Sequence, residues 1–502
     1  MYRKRDRNQQ HIDDFILPFG GELRADNRWV KLAGILPWDF IEDQYVEGMN
    51  QENGAPAISA RIAFGAVYIK ENEGLTDERT LAYITENPYM QYFLGLQEYQ
   101  TEPLFDASMM VHFRKRFSAE KIEAINKRIF IKANTKDSRD GGDMPSDSDG
   151  CRGTGDLLGA DRGAGDSPNG DGRVPNRGKL ILDATCAPAD IRYPSDLSVL
   201  NEARENLEQM IEELWEYGPR EGHKTRYHRK KARSQYLSIA KQKRPRTKKK
   251  RMVIRQQLGY VRSNLEIIGE LLLVAGLDIL PNKRIERIMT ICELYRQQHT
   301  MYTDKSHSCN ARIVSLRQPH VRPIVRGKAG RRYEFGQKIS LSVVSGYTFI
   351  EKQSFDNFNE GISLIESVER YNELHGCYPE AVQADKIYRN RGNLSFCKER
   401  GIRLSGPRLG RPGKDAERDR EIERQDNRER NTIEGRNGMA KRRFGLDLIM
   451  ALLPETAMTE AALQVLCMNV RIRLLLLRFW RFCFSWRSLT DWAFNGLPLP
   501  CS

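Results

Sequence analysis

Residues 337–353 read QKISLSVVSGYTFIEKQ, and their pattern decides the fold class. Ile339, Leu341 and Val343 alternate with polar residues, which predicts a strand with one buried face. The Ser-Gly pair at 345–346 predicts a turn, so YTFIEKQ is expected to return as the second strand of a hairpin. This part of the chain therefore belongs to a β-sheet.

Short apolar runs on either side of the hairpin supply further strands. KLILD (179–183) precedes it, and AVQAD (381–385) and IRL (402–404) follow it. Helical spacing of apolar residues over 362–371 and a polar helical pattern near 390–400 separate the later strands. Strands that alternate with helices after a hairpin indicate an α/β fold with a mixed sheet.

The remaining composition divides the chain into regions. Residues 1–134 show helical spacings and predict an all-α domain, either with a helix-turn-helix that contacts DNA or as a packing domain without DNA contact. Residues 135–177 are rich in Gly, Asp and Ser and predict a flexible linker. We expect an α/β domain over 178–460 with a helical, basic insertion at about 197–322, and an amphipathic tail over 461–502.

The charge balance indicates a polyanionic partner. The 502 residues contain 81 Lys and Arg against 67 Asp and Glu, a net charge of +14. Nucleic acid is the commonest partner of such a chain, although an ordinary basic soluble protein is the alternative. The basic residues are densest over 219–251, which either follows a DNA backbone or forms a solvated loop or localisation-like charge run. The candidates for phosphate contact in this stretch are Lys230, Lys231, Lys249 and Arg251.

The sequence lacks the characteristic features of several classes of protein, which disfavours those classes. The nine cysteines are scattered without a CxxC pair, which argues against a disulfide framework or a cysteine-rich zinc site and predicts a reducing cytoplasm. The most apolar segment, 470–486, is interrupted by arginines and too short to span a bilayer, so no membrane partner is expected. No Gly-rich phosphate loop is present, so no nucleotide cofactor is expected.

Three carboxylates are candidates for catalysis. Asp183 ends the first strand, Asp385 ends or directly follows the fourth predicted strand, and Glu434 lies in a late helix. Sites in open α/β sheets assemble at strand ends, and oxygen ligands suit Mg²⁺ or Mn²⁺. For any one of these aspartates, a turn or a helix cap is the alternative. Asp190 and Asp196 are alternatives to Asp183, but neither ends a strand pattern, and Asp196 is better placed to begin a helix.

The segment around Glu434 is the most specific feature. Asn427, Arg430, Glu434 and Lys441 are spaced by three, four and seven residues, so they share one helix face. On that face Glu434 could hold a metal ion while Arg430 and Lys441 neutralise DNA phosphates. A solvated row of ion pairs is the alternative.

This spacing gives a family resemblance. Residues 430–446 resemble the glutamate helix of bacterial insertion-sequence transposases of the DDE class, whose signature is Y-x2-R-x3-E-x6-K. Arg430, Glu434 and Lys441 match the signature, and Asn427 stands where the tyrosine would be.

Other segments resemble the same family. LILDATCAPADIRYPSDLSVLNEARE (180–205) looks like its first-aspartate region, with Asp183 as the ligand. AVQADKIYRNRGNLSFCKERGIRLSGP (381–407) looks like its second-aspartate region, with Asp385 in that role. Residues 55–130 are similar to the helical domain that precedes the catalytic domain in the insertion-sequence-five group.

The resemblance implies an RNase H-like catalytic domain that uses two Mg²⁺ or Mn²⁺ ions, held by Asp183, Asp385 and Glu434. Water would cut a phosphodiester at the element end, and the freed 3′-hydroxyl would attack target DNA. The implied partners are the terminal inverted repeats, target DNA and further copies of the chain in a dimer or higher assembly. The implied location is the nucleoid in the bacterial cytoplasm. A nuclease of the same fold that does not join strands, and a decayed copy that acts as a DNA-binding repressor, remain alternatives.

Overall fold

The computed structural model describes residues 11–17, 20–50, 56–137, 174–217, 227–328, 331–406 and 416–495. Three predicted features therefore lie wholly or partly outside the described residues, namely 138–173 of the linker, 218–226 at the start of the basic stretch and 496–502 of the tail.

The described residues begin with helices. The helices before the first strand are α1 Arg28–Ile35, α2 Trp38–Val46, α3 Ala60–Glu73, α4 Asp77–Glu86, α5 Pro88–Phe93, α6 Met109–Arg116 and α7 Ala119–Asp137. The strands are β1 Lys179–Pro188, β2 Arg322–Lys328, β3 Arg331–Val344, β4 Tyr347–Ser354, β5 Ala381–Gln383 and β6 Arg403–Leu404. The later helices are α8 Asp196–Tyr217, α9 Arg229–Ala240, α10 Thr247–Ala275, α11 Asn282–Thr303, α12 Leu364–His375, α13 Arg391–Glu399, α14 Ala416–Phe444 and α15 Pro454–Asn495.

The helix boundaries near the N-terminus follow local capping chemistry. The Thr76 hydroxyl accepts a hydrogen bond from the Arg79 N–H at 3.3 Å and begins α4. The Asn87 side chain accepts from the N–H groups of Tyr89 and Met90, and Pro88 takes the first helical position of α5. Asn87 and Pro88 therefore separate α4 from α5.

The strands form one mixed sheet. β1 pairs antiparallel with β3 and parallel with β5, and β6 continues the sheet beside β5. β3 and β4 form the predicted hairpin, with Val344 opposite Tyr347. β2 was not predicted; it pairs with the first half of β3, and its sequence RPIVRGK contains Pro and Gly rather than an alternating pattern. The expected α/β class with a mixed sheet is confirmed.

Both faces of the sheet are covered by helices. Odd-numbered positions of β1 such as Ile181 share a core with Ile433 and Phe444 of α14 and with the buried side of α15. Even-numbered positions such as Leu182 share a core with residues of α12, including Val368. Because side chains alternate between the two faces of β1, those at odd-numbered positions, including Asp183, point towards α14.

The helices α8 to α11 lie in the chain between β1 and β2 and pack on one another. The apolar residues that recur at helical spacing on one face of α8 are all buried, namely Leu200, Ala203, Leu207, Met210 and Leu214. They share a core with Leu258 of α10 and Leu294 of α11. This unit, residues 196–303, is called the insert below.

The long C-terminal helix connects the N-terminal helices with the sheet. Residues such as Leu463 and Leu466 of α15 are fully buried and share a core with Phe64 of α3 and Ile125 of α7. The predicted boundary at 460–461 falls inside this helix, and the domain limits stay predictions. Within the described residues, no helix has both the length and the apolar character needed to cross a bilayer.

Side chains cover the outer edge of β4. Asn469 accepts a hydrogen bond from the Thr348 N–H at 3.0 Å and donates to the Thr348 carbonyl at 2.6 Å, while Asn126 donates to the same carbonyl at 3.1 Å. Glu123 Oε1 accepts from the Ile350 N–H at 3.2 Å. Backbone groups of an edge strand that would otherwise be unpaired are thus satisfied by α7 and α15, which joins the N-terminal helices to the sheet.

Glu123 makes this contact sensitive to pH. Burial raises the pKa of Glu123 from its ordinary 4.5 to about 7. Between these two pH values the Glu123 carboxyl is therefore protonated in the folded chain and ionised in the unfolded chain. The folded state therefore loses stability as pH rises through this window, by at most about 3 kcal/mol. We expect Glu123→Gln to raise the free energy of unfolding at pH 8 and to change it far less at pH 5, measured by chemical denaturation. Glu120→Gln, at an exposed position of the same helix, is the control, and an equal gain at both pH values would contradict the assignment.

Candidate active site

The sheet register places two predicted aspartates at equivalent positions. β1 and β5 run parallel with Ile181 opposite Gln383. Asp183 and Asp385 each lie two residues beyond this pair, Asp183 in the middle of β1 and Asp385 just after β5, and neighbouring strands lie roughly 5 Å apart in a sheet. The predicted position directly after a strand holds for Asp385, whereas the prediction that Asp183 ends its strand is wrong, because the pairing of β1 with β3 continues to Pro188.

A polar layer fixes α14 against this face. Gln383 donates to Asp426 at 3.2 Å and also to Glu429. Lys179 of β1 binds both carboxylate oxygens of Glu429 at 2.8 Å, and these hydrogen bonds lower the pKa of Glu429 to about 2. Arg403 of β6 pairs with Asp426. The first half of α14 is thus anchored to β1, β5 and β6 by polar contacts rather than by apolar packing alone.

Asp183 lies beneath the second half of α14. Asn437 Nδ2 donates to Asp183 Oδ2 at 3.0 Å. Burial raises the pKa of Asp183 to about 6, the Ala184 N–H and Arg430 oppose this rise, and Glu360 and Glu434 add to it. A half-buried carboxylate beside two other acids disfavours its own charge, and a bound cation would relieve that repulsion.

Glu434 lies at the edge of the contact between α14 and the sheet. Ile433 beside it is fully buried, whereas the Glu434 side chain is 58% exposed and lies 3.7 Å from the Arg430 guanidinium. The predicted alternative of an i,i+4 ion pair is therefore present in the structure. Arg430 also lowers the pKa of Asp183 electrostatically, so the same cation acts on both acids.

Asp385 is exposed, and its carboxylate accepts from the Lys386 N–H at 2.7 Å, as the first residue of a short 3₁₀ turn. The alternative role considered for Asp385, the cap of a turn, is therefore also observed. Within the residues that the structure describes, no three His, Cys, Asp or Glu side chains are close enough to hold a metal ion together. The donor chemistry of Asp183, Asp385 and Glu434 fits Mg²⁺ or Mn²⁺, but a closed site requires their side chains to move together.

Three residues near Asp183 were missed from the sequence. Asn437 donates to it, Glu360 acts on it electrostatically, and Lys338 holds Glu360 at 2.8 Å. For Asn437 a signal was available, because it lies on the same helix face as Arg430 at a spacing of seven. Asp196, the alternative ligand, instead begins α8 and pairs with Arg312 at 2.6 Å.

The insert concentrates the positive charge of the chain. Residues 222–265 contain 16 of the 81 Lys and Arg and none of the 67 Asp and Glu, so the rest of the chain has a net charge of −2. Lys230 and Lys231 on α9 and Lys249 on α10 are exposed. Arg251 is different, because it donates to the Tyr302 carbonyl at 2.6 Å and its guanidinium lies 4.3 Å from the Tyr302 ring centroid. Its predicted DNA contact stays a prediction, and the structure gives it a packing role.

Comparisons with known proteins agree with this arrangement. Residues 382–471 match the family model described as "Transposase DDE domain", a range that contains Asp385 and Glu434 but not Asp183. Residues 19–116, which include α1 to α6, match "Transposase domain (DUF772)". The chain is 36% identical over 98 residues to an uncharacterized protein of Rhizobium meliloti, ORF8 in the nfe locus.

The aligned part is 20% of this chain and 47% of that relative, so the match spans about half the length of the relative. No solved structure gives a significant match. The two family matches cover both the helical N-terminal region and the glutamate helix, in the order that the sequence predicted, whereas the insertion-sequence-five group stays a prediction. Both matches support an insertion-sequence transposase of the DDE class.

Proposed function

We propose that this protein cuts DNA at the ends of its insertion sequence and joins those ends to target DNA. The observation that carries the proposal is the position of Asp183, which lies beneath the helix that bears Glu434, on the strand that pairs in parallel with the strand preceding Asp385. Asp183, Asp385 and Glu434 would together hold two Mg²⁺ or Mn²⁺ ions. Such ions activate an attacking oxygen and stabilise a leaving oxygen at a phosphodiester.

The strand arrangement supports an RNase H-like assignment for the catalytic region. Three antiparallel strands in the order β4, β3, β1 continue into parallel β5 and β6, with helices on both faces. The first acid lies on the central strand β1, the second follows β5, and the third comes from a helix packed across both strands.

The chain's own residues supply positioning and charge. Arg430 lies beside Glu434 and acts on Asp183, so a DNA phosphate that approaches Arg430 is brought to the acids. Lys441 follows on the same face of α14 and is assigned to the same phosphate path. Lys230, Lys231 and Lys249 of the insert would hold DNA further from the reacting phosphate.

The proposed partners are DNA and further copies of the chain. The N-terminal helices would bind the terminal repeats or support a dimer, which pairs the two element ends. Their polar contacts with β4 would transmit the position of the bound ends to the sheet. Within bacteria, such a protein is expected to act at the nucleoid.

A cleavage assay with the wild-type chain tests the proposal. The substrate is a labelled duplex that carries the native element end, and a plasmid serves as the target. We expect cleavage in Mg²⁺ or Mn²⁺, none in EDTA, and joined product when the plasmid is present. Cleavage without joined product would favour a nuclease, and binding without cleavage in either metal would contradict the proposed activity.

A further inference from the structure

Asn437 is a polar residue in the part of the contact between α14 and the sheet that is otherwise apolar. It lies on α14 between the fully buried Ile433 and Ala440, and it is only 9% exposed itself. Its Oδ1 atom is buried without a hydrogen-bond partner in the part of the chain that the structure describes. A buried unpaired polar atom costs about 1–3 kcal/mol, so an apolar side chain would stabilise the helix contact better.

The contact that offsets this cost is the hydrogen bond to Asp183. Asn437 Nδ2 lies 3.0 Å from Asp183 Oδ2. An ionised carboxylate only accepts hydrogen bonds, which makes the NH₂ group the side of the amide that faces it. This hydrogen bond limits rotation of the carboxylate, and its remaining lone pairs stay available to a cation.

The same bond connects two parts of the candidate site. Asn437 is three residues beyond Glu434 on one helix, and Asp183 is on β1. The polar layer at Gln383 and Lys179 anchors α14 about two turns earlier, at Asp426 and Glu429. Asn437 therefore fixes the second half of the helix, and with it Glu434, relative to the first aspartate.

We propose that Asn437 is a positioning residue, which orients Asp183 for metal binding and holds the glutamate helix in register with β1. The proposal rests on the proposed function, because it assigns Asp183 and Glu434 to one metal site. Residues that orient metal ligands typically contribute 10–100-fold to metal affinity, and we expect a loss in this range on removal of the amide.

The test measures Mn²⁺ binding by the full chain directly, from the electron paramagnetic resonance signal of free Mn²⁺. Asn437→Leu keeps the branched shape and removes the amide, and Asn437→Ala is a second variant in case the leucine protein does not fold. Asn431→Ala, an exposed asparagine on the same helix, is the matched control. We expect Asn437→Leu to weaken Mn²⁺ binding about 10-fold or more. The Mn²⁺ concentration for half-maximal cleavage is expected to rise by the same factor. The melting temperature of the variant is expected to be no lower than that of the wild type.

Two outcomes separate the inference from the function on which it rests. Wild-type Mn²⁺ affinity in both Asn437 variants would overturn the positioning role and leave the proposed function intact. A wild-type chain whose Mn²⁺ binding does not change on Asp183→Asn would overturn the metal assignment itself, and the positioning role with it.

Discussion

Glu434→Gln is expected to leave DNA binding unchanged and to slow cleavage of the element end at least about 100-fold, since a lost metal ligand removes several kcal/mol of stabilisation from the reacting phosphate. Glutamine has the same size and keeps the hydrogen-bonding oxygen, but it lacks the charge that a metal ligand supplies. The side chain is 58% exposed and pairs only loosely with Arg430, at 3.7 Å, so the fold does not depend on its charge.

The measurement combines a binding assay and single-turnover cleavage in Mg²⁺ with the same labelled duplex. Glu421→Gln is the matched control, because Glu421 is exposed on the same helix and pairs with Arg424 at 2.9 Å. We expect this control to cut at the wild-type rate. Undiminished cleavage by Glu434→Gln would show that the motif carries no chemistry, and equal binding with no cleavage by any protein would favour the decayed copy.

The sequence predicted those parts of the fold whose pattern is local. The alternation of Ile339, Leu341 and Val343 determined a strand, and the Ser-Gly turn determined its partner, because one buried face imposes a period of two. The buried face of α8 followed in the same way from its helical spacing. Asp385 was found because it follows a short apolar strand, whereas Asp183 was found from an apolar run that is only the first half of a longer strand.

The parts that were missed depend on contacts between distant residues. The partners of Asn437 and Gln383 lie far away in the chain, and the spacing of Asn437 from Arg430 indicates only its helix face, not its partner on β1. β2 was missed because its only partner is the start of β3 and its sequence contains Pro and Gly. The capping of β4 by α7 and α15 joins segments more than 300 residues apart, as in the bond between Asn126 and Asn469, so no local pattern could predict it.

The second large effect is expected from the insert. We expect neutralisation of Lys230, Lys231 and Lys249 to alanine to weaken DNA binding at 0.1 M salt by as much as about 500-fold. Each phosphate contact contributes about 0.9 to the slope of log affinity against log salt, so the slope is expected to fall by about 2.7. Cleavage at saturating DNA is expected to proceed at the wild-type rate, because these lysines are assigned to DNA further from the acids.

The control removes the same charge outside the insert, with alanine at the exposed Lys115, Lys352 and Lys398 of α6, β4 and α13. If net charge alone determined affinity, both triple variants would lose affinity equally. The charge distribution argues otherwise, because the chain without residues 222–265 has a net charge of −2 and would not attract DNA as a whole. A slope that falls only in the insert variant would assign the backbone contacts to α9 and α10. A slope that stays unchanged there would instead assign them to the N-terminal helices, whose match to a transposase domain is independent of the insert.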